Sequence, residues 1–224
     1  MSKYSVHIIC KNEEIYKEKL EMLKPFQSKI CFTQWIPAEF IKVTACNRGV
    51  VKKLQTMYNT KQKAIVGKLG CIGAHRKALI SIINSQSMNN IILEEDAVIE
   101  GSLPQPPKQT CYMGGWIVPP QVSKAGKVKV SIPKLKRNTI NRIYYDKFKV
   151  ITTHALFIKS VKDAEDILLD TIEKEKLKNY DIYLADNESI EYFYYPSVFA
   201  QGRHTSCIDK RVNKNDINTQ NYGI

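Results

Sequence analysis

Short apolar runs that alternate with helix-period segments predict an α/β domain, a single unit with a mixed central sheet and flanking helices. A run of three acids directly after one of those apolar runs predicts where its chemistry lies. The 224 residues suit one domain, expected to span 1–212 with a polar tail over 213–224. Hydrophobic residues at 43% and charged residues at 25% exclude a mostly disordered chain. No apolar stretch approaches the ~20 residues of a membrane helix, and the N-terminus has too short an apolar core for a signal peptide. A cytoplasmic protein is the expectation.

The first strand is expected over residues 4–10, ending in Ile8, Ile9 and Cys10. Asn12 can cap a helix through about residue 24, with Tyr16, Leu20 and Leu23 on one face and Pro25 ending it. Residues 29–36 read as a second strand, closed by Pro37. Val50, Leu54 and Met57 recur at i, i+4, i+7 and predict a helix that buries them and keeps a basic outer face. Gly67 and Gly70 precede a helix expected over 72–85, with Ala78, Leu79, Ile82 and Ile83 at helical spacing. Asn89-Asn90 turns the chain into the buried strand Ile91-Ile92-Leu93, which leads to Glu94-Glu95-Asp96. Later come a short strand at 111–113, a strand at 154–158, a helix over 161–174 and a last strand at 192–198. Its aromatics, Tyr192 to Tyr195, suit either sugar stacking or a half-buried strand.

Charge and cysteines bound the partners and the compartment. The net charge is +12, from 34 Lys and Arg against 22 Asp and Glu, which favours nucleotides, nucleic acid, acidic glycans or lipid headgroups. Lys124, Lys127, Lys129, Lys134, Lys136 and Arg137 form a segment with no acid. Cys10, Cys31, Cys46, Cys71, Cys111 and Cys207 are scattered without a CxxC pair, so reduced, buried thiols are expected rather than a structural zinc site. A Walker A loop, a G-x-G-x-x-G fingerprint and a G-x-S-x-G elbow are all missing, which leaves kinase, Rossmann dehydrogenase and serine hydrolase readings without their motifs.

The acidic triplet carries the chemistry. In an extended segment Glu94 and Asp96 share a face while Glu95 points away. Two such carboxylates can hold a divalent metal whose other positions take phosphate oxygens and water. A solvated acidic turn gives the same pattern. His75 follows Gly70 near an expected helix N-terminus, a place for anions; a His that packs the helix is the alternative.

Gly70-Cys71-Ile72-Gly73-Ala74-His75, the helix after it, and Ile91 to Ala97 together resemble the glycosyltransferase family 25 pattern, which also runs through Ile36-Pro37-Ala38, Thr153-His154-Ala155, Asp181 and Tyr195 to Gln201. The resemblance spans about residues 4–204, with Ala74 where the family has Ser and Glu95 where it has Asp. It implies a GT-A-type domain, a nucleotide-diphosphate sugar (a UDP-sugar first) and a divalent metal, Mn²⁺ before Mg²⁺. It implies Glu94, Asp96 and His204 as metal ligands, and Cys71, His75, Glu95, His154, Gln201 and Arg203 on the donor side. Asp181 is the expected general base of an inverting transfer, with Asp186 and Glu188 as alternates. The acceptor would be a hydroxyl of a glycan, lipid-linked sugar or protein, and peripheral membrane contact through basic charge is compatible with it. A non-catalytic relative, or a polyanion or nucleic-acid binder using residues 124–137, is the competing expectation.

Overall fold

The computed structural model describes residues 2–38, 41–118, 133–173 and 179–202. The fold is mixed α/β. Strands β1 (Tyr4–Cys10), β2 (Ile30–Pro37), β3 (Asn90–Glu94), β5 (Cys111–Tyr112), β7 (Thr139–Arg142), β9 (Ala155–Ile158) and β10 (Tyr192–Tyr195) form one sheet in the order β2-β1-β3-β9-β5-β10-β7. β1 pairs parallel with both β2 and β3, whereas β9 runs antiparallel to β3 and to β5. Two small ribbons accompany it: β4 (Ala97–Ile99) with β11 (Phe199–Gln201), and β6 (Trp116–Val118) with β8 (Lys149–Ile151).

Period-two alternation divides the core between the two faces of the sheet. Tyr4, Val6, Ile8, Ile91, Leu93 and Phe157 face helix α1 (Glu13–Leu23) and the β4–β11 ribbon. Ile9, Ile92, Leu156 and Ile158 face the opposite layer, built from α3 (Gln62–Ser85), α4 (Val161–Glu173) and α5 (Tyr180–Asp186). Strands covered on both faces read as continuous apolar runs, which is how Ile91-Ile92-Leu93 announced itself. Asn12 caps α1 as expected, accepting from the Ile15 N–H at 3.0 Å.

Four expectations are corrected. Gly67 and Gly70 do not precede the long helix; α3 starts at Gln62 and runs through them. Each helical Gly costs about 1 kcal/mol relative to Ala, and the packing of Ile65 and Leu69 on one side and of Ala74, Ala78, Leu79 and Ile82 on the other offsets it. Helix α2 (Arg48–Tyr58) forms, but Val51 and Leu54 face the core while Val50 and Met57 point outward. The last strand expected over 192–198 stops at Tyr195 as β10, and after Pro196-Ser197-Val198 a further strand, β11, follows in a different sheet. Cys31 and Cys46 are exposed rather than buried; Cys10 and Cys111 are buried. Among the described residues no helix is long and apolar enough to cross a membrane.

Candidate functional site

β3 ends at Glu94, beyond which Glu95 and Asp96 form a turn into β4. The acids therefore lie at the carboxyl end of a central strand that is parallel to its neighbour β1. Each carboxylate then takes its own partners. Glu94 Oε1 accepts from His75 Nε2 at 2.9 Å and from the Thr153 hydroxyl, while the Glu94 N–H donates to the His154 carbonyl at 3.0 Å. The register of β11 on β4 places Gln201 opposite Ala97, and the Gln201 amide donates to Asp96 Oδ2 at 2.7 Å. The Gly202 N–H holds the Asp96 carbonyl at 2.6 Å. Glu95 leaves the cluster, accepting from the Lys11 N–H at 3.2 Å. Glu94 and Asp96 are thus separated from Glu95 as the alternation predicts, but by a turn rather than by an extended strand.

Helices α3 and α5 close the cluster from the opposite layer. His75 is 1% exposed, and its ring stacks on Tyr180 with centroids 4.2 Å apart. Because α3 begins well before Gly70, His75 sits in the helix interior, where N–H groups are engaged in the ladder. The expected anion site at a helix start is therefore withdrawn. Cys71 lies one turn earlier on the same face, and Cys71, His75 and Glu94 present ligand atoms within 4.8 Å of one another. Asp181 follows Tyr180 and is close enough for its charge to act on Cys71.

The electrostatics mark these groups as one cluster. Burial pushes the Glu94 carboxyl up, but the His75 and Thr153 hydrogen bonds and the charges of both histidines outweigh it and hold it below its ordinary range. Asp96 is pushed up by burial and by Glu94, against the pull of Gln201, His154 and Lys19. Asp181 is likewise raised by burial and by Glu94, although the Ile182 N–H, donating at 2.8 Å, pulls it down. Burial and then Glu94, Asp181 and Asp96 push the Cys71 thiol well up. Asp96 Oδ1, His75 Nδ1 and His154 Nδ1 are buried without a protein partner. The Glu94 side chain keeps 27% of its surface exposed, so the cluster has an open edge.

His154 lies behind the acids, its Nε2 at 3.3 Å from the Phe199 carbonyl, in space left by Gly114. The alternates to Asp181 lie elsewhere: Asp186 pairs with Lys149 at 2.8 Å, and Glu188 is exposed. Arg203 and His204 lie outside the described residues, as do Lys124, Lys127 and Lys129; Lys134, Lys136 and Arg137 are exposed. Sequence reasoning missed Thr153, Tyr180 and Lys19. Lys19 is 5% exposed and donates to the Ala97 carbonyl at 2.8 Å, holding the turn beside Asp96. Nothing in an amphipathic helix marks one Lys as inward.

No protein-family profile matches the chain, and no curated protein matches it. One solved structure, a "glycosyltransferase involved in the glycosylation of the major capsid of PBCV-1", aligns over 87% of this chain and 94% of that one. The identity is 7% and the TM-score 0.35, too distant to inform this chain's chemistry. The family 25 pattern accordingly rests on the residues quoted above.

Proposed function

We propose that this protein is a metal-dependent glycosyltransferase that moves a sugar from a UDP-sugar, or another nucleotide-diphosphate sugar, to a hydroxyl acceptor with inversion. The reading is carried by one observation: two carboxylates at a strand's carboxyl end sit together with a third acid and leave a buried Asp96 oxygen unpartnered. An ionised Glu94 that raises both Asp96 and Asp181, with an orphaned oxygen among them, fits a divalent cation.

Glu94 and Asp96 would hold that metal, with His204 as a further ligand; a mainly carboxylate donor set suits Mn²⁺ or Mg²⁺. When bound, the metal offsets the charge of the departing diphosphate. The protein's own residues do the rest. His75 and Thr153 fix the Glu94 carboxylate in its ionised form, and Gln201 aims Asp96. Asp181 takes the proton of the acceptor hydroxyl, and burial raises its proton affinity toward working pH, which suits a base. The Cys71–His75–Glu94 group offers a second, softer donor set that suits Zn²⁺.

The test is a binding and hydrolysis screen of UDP-, GDP- and CMP-sugars with Mn²⁺ and Mg²⁺. UDP-sugar turnover that needs the metal is expected. A folded protein that binds no sugar nucleotide under any of these conditions would return it to a non-catalytic relative. Cytosol or a membrane surface is the proposed place of action.

A further inference from the structure

Helix α2 turns outward two apolar residues that the sequence pattern assigns to the core. Val50 and Met57 are 60% and 63% exposed. They stand two turns apart on one face, with Lys53 between them at i+3. The adjoining flank of the helix is satisfied: Val51 packs with Ile65 of α3, supported by Val43, Leu54 and Leu69. Leaving Val50 and Met57 in water is therefore no consequence of a helix lacking a core.

The charge around this face is one-sided. Residues 40–93 contain nine Lys and Arg and not one Asp or Glu. Lys42, Arg48, Lys52, Lys53, Lys61 and Lys63 are all exposed. Exposed apolar side chains flanked by cations on a surface helix match a bilayer interface, where headgroup phosphates meet the acyl chains.

We propose that α2, with the start of α3, is a docking surface for an anionic lipid bilayer. Val50 and Met57 enter the acyl boundary while Lys53, beside them on the helix, meets the phosphates with the cations at the start of α3. Nucleic acid would satisfy the cations but offers no hydrocarbon for Val50 and Met57, so lipid is the better match. Cys71 lies nine residues along α3 from Gln62, about 14 Å at 1.5 Å per residue. A docked protein therefore holds the acidic cluster near the headgroups. On the glycosyltransferase reading, to which this clause alone is tied, that places a lipid-linked acceptor within reach.

The experiment is co-sedimentation of the whole chain with vesicles of phosphatidylcholine alone and with 30% phosphatidylserine, about the anionic content of a cytoplasmic leaflet, at physiological salt. Binding to the anionic vesicles only is expected. Val50→Ser with Met57→Ser should weaken it about tenfold, and Lys53→Gln about fivefold. Circular dichroism should show all variants folded, because these side chains are exposed. Sugar-nucleotide binding, measured alongside, should be unchanged, so docking and catalysis fail separately. Equal binding to neutral vesicles, no binding to either, or lipid binding indifferent to Val50→Ser with Met57→Ser would overturn the proposal. So would an RNA oligomer that binds more tightly than the anionic vesicles.

Discussion

At the residue scale, the assignment of roles turns on which acid is where. Asp181 shares the electrostatic cluster with Glu94, whereas Asp186 is tied to Lys149 and Glu188 stands exposed. Asp181→Asn keeps shape and removes the proton acceptor, so transfer should fall roughly 10²–10⁴-fold with little change in UDP affinity. Kinetics on Asp186→Asn and Glu188→Gln run beside it; if either loses transfer while Asp181→Asn keeps it, the base is misassigned. The pH dependence of stability has two signs here. Asp96 and Asp181 hold protons more tightly folded than unfolded, so the stability they confer is present below their ordinary value of 3.8 and is lost as pH rises through their raised values. Glu94 is opposite: its contribution is present above its ordinary 4.5 and is lost as pH falls through its lowered value. In chelator at pH 7.5, Asp96→Asn should therefore raise the melting temperature, and the gain should vanish at the acid end of the range. A variant that melts no higher than the parent at either pH would mean Asp96 is not strained.

At the element scale, what positions the acids is the meeting of β3, the turn at Glu95-Asp96, the starts of β4 and β9, and the middle of α3. Gly114 enters because its bare Cα lets the chain pass His154: a Cβ there would lie 2.3 Å from His154 Nε2 and 2.6 Å from the Phe199 carbonyl. Gly114→Ala should cost about 1–3 kcal/mol by overpacking. Thermal melts check it, and a variant of unchanged stability would mean that His154 moves aside freely. Much of this scaffold was legible. Short apolar runs pointed to β1, β3 and β9, and the Asn12 cap to α1, because those signals are local. The extent of α3 was not, since long-range packing overrode the local cost of three glycines at 67, 70 and 73. The inward face of α2 was misread by one residue, with Val51 rather than Val50 meeting Ile65, because a ladder of apolar residues does not say which flank has a neighbour. Glu94, Asp96, His75, Cys71 and Asp181, all singled out in the sequence, are brought into one cluster by the fold. Thr153, Tyr180 and Lys19 were given no role from sequence, because ordinary residue types acquire such roles only through the fold.

At the scale of the whole molecule, a positively charged protein keeps a nest of acids in a half-open cluster. The contrast has a physical use. A net charge of +12 attracts anions over long range at a rate that salt screens, while on the proposed function the acids would accept an anionic diphosphate only with a cation between them. Weak UDP affinity without metal, falling with salt, and strong affinity with it is the resulting signature. Calorimetric titration of UDP into the parent protein and into Asp96→Ala, each with Mn²⁺ and with chelator, tests the central claim most directly. Tight binding that requires both Mn²⁺ and Asp96 is the predicted result. Equal affinity in all four titrations would contradict it and remove the metal from the proposed site.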